Sequence, residues 1–133
     1  MRDGQLTLSE NRVIGPRTTR AAFLAMFPNC RVLVENGQYC TYVVGHEVIR
    51  GRKFSVSAGF KGEALGSLSL RPVEGASWEL DAIEKAKQAD DRWLKDEYDL
   101  DPIYQASWGR LSSSIDPKNP TPYITITYGD VLP

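Results

Sequence analysis

Apolar and polar positions alternate along this chain in two periods, and the switches between them divide it into elements. Thr18-Thr19 signals a helix entry after Pro16, and Arg20 to Phe27 is helix-prone until Pro28 stops it, with Phe23, Met26 and Phe27 as the apolar face. Arg31 to Val34 and Gln38 to Val44 are β-rich runs joined through Glu35-Asn36-Gly37. Asn-Gly there predicts a type I′ hairpin turn, because both residues tolerate positive φ. From Lys53, Phe54, Val56, Ala58 and Phe60 alternate with Ser55, Ser57 and Gly59, the signature of a strand with one buried and one wet face. Lys61-Gly62 turns the chain, and a return strand sets Leu68 and Leu70 against Ser67, Ser69 and Arg71 before Pro72 ends it.

The period then changes. With Ser77 as N-cap, Trp78 to about Tyr98 reads as one long helix whose apolar half holds Trp78, Ala82, Ile83, Ala86, Ala89, Trp93 and Leu94. An aromatic strand, Tyr104 to Trp108, is expected to bend or bulge at Gly109 and continue from Arg110 to Ile115. After the turn chemistry of Asp116-Pro117-Lys118-Asn119-Pro120, Ile124, Ile126 and Tyr128 alternate with Tyr123, Thr125 and Thr127. No strand–helix–strand repetition of the parallel kind is present. The expected architecture is therefore α+β, a two-layer sandwich: an antiparallel sheet of about six strands with one short and one long helix packed on one face.

Length and composition add bounds to this pattern. At 133 residues, 41% apolar and 25% charged, the chain reads as a single soluble globular domain, residues 1–133, able to bury a core without metal or disulfide staples. A net charge of −1 gives no general pull toward nucleic acid or anionic lipid, so neither is expected as a partner. The N-terminal residues lack the apolar core of a secretory signal and no run is long enough to span a bilayer, which makes the cytoplasm the expected address. Charge is nevertheless uneven: the part before Glu74 is basic, and the stretch from Glu74 to Asp101 is acidic.

Reactive chemistry is sparse. The predicted hairpin register puts Cys40 opposite Leu33 and Cys30 opposite Val43, so the two cysteines are expected to be buried thiols and not a disulfide. Gly45-His46-Glu47-Val48-Ile49-Arg50 begins like a zinc-protease helix but lacks the second histidine. Gly45 to Lys53 has the wrong glycine spacing for a phosphate loop, and no serine-hydrolase elbow is present. Glu79, Asp90 and Glu97 fall within the apolar half of the long helix, where an acid needs a basic or backbone partner. No catalytic residue, cofactor or metal is expected. The candidates that remain are for partner binding: Tyr39, Tyr42 and Tyr123 edging a hydroxyl-rich outer sheet face, and Asp96, Glu97, Asp99 and Asp101 beyond the helix end.

Several segments together resemble a known group. They are Thr18-Thr19-Arg20-Ala21-Ala22-Phe23-Leu24, Phe54 to Leu70 with its Phe60-Lys61-Gly62-Glu63-Ala64-Leu65 turn, and Trp78 to Tyr98 with Ala86 and Trp93. Trp108-Gly109-Arg110, Ser114-Ile115-Asp116-Pro117-Lys118 and Ile124-Thr125-Ile126-Thr127-Tyr128 complete the set. In that order they resemble a family of small bacterial proteins similar to immunity proteins, which neutralise partner toxins in interbacterial competition. The resemblance implies a stoichiometric protein-binding module and transfers no residue role. The three prolines from Pro117 to Pro122 depart from the family's softer loop, and Lys118 within it joins the candidates for partner choice.

Three uses of such a molecule remain open at this point. One is an immunity-type protein, monomeric or weakly dimeric, that covers a toxin's active site or blocks its assembly. Another is an enzyme or small-ligand carrier with a cavity between sheet and long helix, lined by Trp78, Trp93 and Trp108. The last is a subunit that self-associates through an exposed edge at Tyr123 to Tyr128.

Overall fold

A computed structural model describes residues 1–73, 80–116 and 121–129. Ser77, Trp78 and Lys118, which carried expectations above, lie outside the described residues, as does Glu79. In chain order the elements are β1 (Leu6–Thr7), a 3-10 turn (Ser9–Asn11), β2 (Val13–Ile14), α1 (Arg20–Met26), β3 (Arg31–Asn36), β4 (Tyr39–Ile49), β5 (Arg52–Lys61) and β6 (Ala64–Pro72). The chain continues with α2 (Leu80–Tyr98), β7 (Ile103–Ala106), β8 (Gly109–Ile115) and β9 (Pro122–Tyr128). Strands β3 to β9 form one antiparallel sheet of seven, in the order β3-β4-β5-β6-β9-β8-β7, and β1 pairs with β2 in a separate small hairpin. The class is α+β as expected, with seven strands in the main sheet instead of about six.

Alternation builds the sheet as the sequence predicts. Phe54, Val56, Ala58 and Phe60 are buried, and the register aligns them with Leu68 and Leu70 of β6, which in turn face Ile126 and Ile124 of β9. Helix α1 is capped by Thr19, whose side chain accepts from the Ala22 amide at 3.1 Å. The helix drives Phe23 into this face, 5.1 Å from Phe60 and 5.7 Å from Tyr42 between ring centres. Helix α2 covers the other half of the same face through Trp93, 4.8 Å from Phe54, and through Leu94, which is fully buried. Both helices and the β1–β2 hairpin, with Leu6 and Ile14 fully buried, thus lie on one side, leaving the opposite face of the sheet open.

Three local expectations are corrected. The β3–β4 turn is Gly37-Gln38, closed by the pair Asn36–Tyr39, and only Gly37 takes positive φ (62°). Glycine takes the first turn position, the one that demands positive φ when a single residue supplies it, so Asn36 stays in the strand. Cys40 therefore faces Glu35 and not Leu33, and Cys30 lies before β3. Both thiols are free. Second, β4 does not stop at Val44: a register shift between Val43 and Gly45 absorbs one residue, and the strand runs on to Ile49. Third, Ser107-Trp108 is the turn of a β7–β8 hairpin, not the end of one bent strand.

Candidate protein-binding surfaces

The open face consists of the outward residues of all seven strands. Across its centre the register aligns Ser57, Ser69, Thr125 and Ser112 in one row, all half-buried by their neighbours. Tyr39 and Tyr123 sit on this side. Lys61 Nζ lies 5.7 Å from the Tyr39 ring centre and the Arg71 guanidinium 5.0 Å from that of Tyr123. Tyr42 does not join them. It points into the helix layer, 4% exposed, packs on Phe23 and Phe60, and its hydroxyl accepts from Arg20 Nε at 2.7 Å. The sequence missed this because a β-rich run without strict alternation leaves its inward parity undetermined.

Asp96 and Glu97 lie in the last turn of α2, not beyond its end as expected, with Asp99 and Asp101 just past it, and all four are exposed. Asp99 is partly neutralised within the chain: its carboxylate lies 3.1 Å from Arg2 Nη2 and 2.9 Å from Lys95 Nζ, and these cations hold its pKa below the usual range. A shallow depression of about 630 Å³ lies beside it, lined in part by Arg2, Arg50 and Tyr98. The depression and the cation pairs divide the acidic end between solvent and the chain's own bases.

The acids placed on the apolar half of α2 separate. Glu97 is exposed, whereas Asp90 is fully buried with Arg52 Nη1 2.6 Å from its Oδ1. Its Oδ2 has no hydrogen-bond partner among the described residues. Burial pushes the Asp90 carboxyl up to about 6, against the opposing pull of the Arg52 guanidinium. The folded chain therefore holds this proton to higher pH than the unfolded chain, whose carboxyl titrates near 4. Between those values the native state binds more protons, so Asp90's contribution to stability falls as pH rises through the window and is flat above it. Urea unfolding is expected to show a pH 5 minus pH 7 stability difference about 1 kcal/mol larger in the parent than in Asp90→Asn. Equal differences in the two proteins would refute this protonation.

A second buried pair joins Glu47, 6% exposed, to Arg12 Nη2 at 3.1 Å. Arg12 also donates to the carbonyls of Ser9 and Met26 and covers the Phe27 ring at 4.3 Å, tying the N-terminal segment and α1 to β4. Beside it lies a small cavity of about 200 Å³, lined by Cys30, His46 and Glu47 among others. Burial raises the Cys30 pKa, the opposite of an activated thiolate.

The alternative of a tryptophan pocket under α2 is not supported by Trp93 and Trp108. Trp93 fills the core between Phe54 and Tyr98 and donates its Nε1–H to the Arg50 carbonyl. Trp108 packs on Tyr104 and Tyr128 at the other end of the sheet and donates to the Arg2 carbonyl at 2.7 Å. It lines an open groove of about 740 Å³ with Arg17, Thr18 and Tyr104. The alternative that placed an exposed edge at Tyr123–Tyr128 is also corrected, because β9 is interior, between β6 and β8. The edges are β7 and β3. Val32, Leu33 and Val34 on β3 are 54%, 60% and 57% exposed, and a register shift at Leu33 interrupts the ladder there. A bulge and flanking charges on an edge strand oppose the addition of a further strand.

The architecture defined here is a two-layer α+β sandwich with one sheet face uncovered. A similar fold occurs in a chain of the solved structure of Rhs1-CT in complex with its cognate immunity protein RhsI1. The two are 17% identical, the alignment covers 98% of this chain and 85% of that one, and the TM-score is 0.64. Compared with protein-family models the chain matches none, and no curated protein matches it either. Among the described residues no helix is long and apolar enough to cross a membrane.

Proposed function

We propose that this chain is an immunity-type protein that binds a cognate toxin directly and neutralises it in the bacterial cytoplasm without chemistry of its own. The observation that carries the reading is the likeness of the whole fold, over 98% of the chain, to a chain from a complex of two proteins, one of them an immunity protein. It agrees with the resemblance in the sequence, which rests on different evidence, the residues of α1, the β5–β6 hairpin and β9. The placement of the buried ionisable groups also supports it. Asp90 and Glu47, both buried carboxylates, face arginines of the chain itself and are spent on holding the layers together.

Neutralisation by contact needs a preformed exterior and little internal motion, and the sheet supplies one: its strands are joined by short turns over most of their length. Co-expression with the product of each adjacent reading frame tests the reading. The expected result is that one neighbour is toxic alone, is tolerated when this chain is present, and co-purifies with it. Failure with every neighbour would remove the basis for the proposal.

A further inference from the structure

Among the described residues the open face of the sheet carries one acid, Asp116 just past β8, and it is paired with Arg71. The three carboxylates of β3, β4 and the β5–β6 turn all belong to the helix side. Glu35 pairs with the buried Cys40, Glu47 is buried opposite Phe54, and Glu63 Oε2 accepts from the Ala21 amide at 3.3 Å at the start of α1. Of the six strand cations, Arg52 faces the helix side with Asp90 and five go the other way. Register places Arg31 beside Val43, Lys53 beside Val48, Lys61 beside Tyr39, Arg71 beside Ser55 and Arg110 beside Thr127, all on the open side. Of these five, only Arg71 pairs with a carboxylate among the described residues, that of Asp116 at 3.3 Å. On the helix layer Asp90 pairs with Arg52, Asp91 with Lys87 and Asp99 with Arg2 and Lys95, while Asp96, Glu97 and Asp101 stand exposed. A chain of net charge −1 thus turns one broad face positive.

The shape of that face suits a large contact. Its floor is made of small hydroxyl side chains and glycine, so little rotamer entropy is lost on covering it. Seven strands at about 4.8 Å spacing and some six residues at about 3.4 Å each give a floor of about 600 Å², close to the per-partner area of a standard specific interface. Nucleic acid fits it poorly. A single strand needs a run of exposed rings on which successive bases stack, and the two tyrosines of this face, Tyr39 and Tyr123, stand on β4 and β9 with β5 and β6 between them.

We propose that this open sheet face is the docking surface for the neutralised partner, and that the partner is a protein presenting an acidic surface to it. The inference rests on the function proposed above and adds the surface and the charge of what it meets. Complementary fields of this kind act chiefly on the rate of encounter and its salt dependence. Substitutions in the floor act on the bound state.

The test uses the full chain and the purified neighbour-encoded protein, with association followed by stopped flow at low and high salt. Lys61→Glu with Arg110→Glu is expected to slow association at least tenfold at low salt and to flatten its salt dependence. Ser69→Tyr, an uncharged obstruction at a half-buried position in the middle of the open face, on a strand that favours aromatic residues, is expected to weaken binding at least tenfold without that change in rate. Lys85→Glu with Arg92→Glu on the exposed side of α2 is the control, expected to bind like the parent. Thermal melts confirm that each variant is folded. If the parent binds and the open-face variants bind equally well, or only changes at Asp96, Glu97 and Asp101 disturb the complex, the surface is wrong while the function stands. If the parent binds no neighbour, both fall. If Arg110 instead governs binding to duplex DNA or concentration-dependent self-association, the partner class is wrong.

Discussion

Replacing Arg52 by alanine is expected to cost about 3 to 5 kcal/mol of stability at pH 7. Asp90 is fully buried on α2, and Arg52, 2.6 Å away on β5, is the cation paired with it among the described residues. Removing the arginine strands the carboxylate in an apolar layer beside Phe54 and Trp93, where it must either stay charged without a partner or take up a proton at neutral pH. The Arg52 stem and guanidinium also cover the Phe54 ring at 5.2 Å, and that packing is lost too. Because the penalty is electrostatic, it is expected to shrink at pH 5, where Asp90 is largely protonated, and Arg52→Ala with Asp90→Asn together are expected to recover much of it. Urea unfolding of the two single variants and the double variant forms the cycle. Additive losses would show that the pair is not coupled.

Gly109→Ala is expected to be comparably damaging, at about 3 to 5 kcal/mol, or to prevent folding. Gly109 opens β8 with a φ of 149°, a backbone region that side chains rarely adopt. A Cβ placed there would sit 2.0 Å from the Thr127 carbonyl oxygen of the neighbouring strand, and backbone atoms in a paired strand cannot swing aside as a flexible side chain can. The affected strands, β8 and β9, join β7 to the rest of the sheet, so the loss is expected to be cooperative. Gly45, which also has positive φ but open space around its would-be Cβ, is the comparison. Its alanine variant is expected to pay only the conformational strain, about 1 kcal/mol. Similar melting temperatures for the two variants would contradict the steric argument.

The parts of the fold legible in the sequence are those governed by strict periodicity. Phe54 to Phe60 and Ile124 to Tyr128 alternate without exception, and both are strands with the expected inward residues. Asp90 was legible as an acid needing a partner, and helical geometry alone put it on the apolar side. Its partner was not, because Arg52 is fixed by sheet packing far away in sequence. Bulges erased other signals. The shift at Val43/Gly45 hid the second half of β4, and the two-residue strands Leu6–Thr7 and Val13–Ile14 are too short to show a period at all. Strand order is the deepest gap. Nothing local in Tyr123 to Tyr128 tells an interior strand from an edge, and β9 lies between β6 and β8 only because the chain crosses back over the sheet through α2. The charge of the open face was half visible, since the basic first part of the chain could be counted. Only the register revealed that Arg31, Lys53, Lys61 and Arg71 share the open side, whereas Arg12, Arg20 and Arg52 face the helix layer.

Titration of a fixed amount of the purified neighbouring toxin with this chain, reading the toxin's own activity, tests the central claim most directly. A protein that acts by covering its partner is expected to extinguish that activity in proportion to the amount added, with the end point at one molecule per toxin and a complex of matching mass by light scattering. Full toxin activity in the presence of excess chain, or complete inactivation by a small fraction of an equivalent, would contradict the account, the first by excluding capture and the second by revealing turnover.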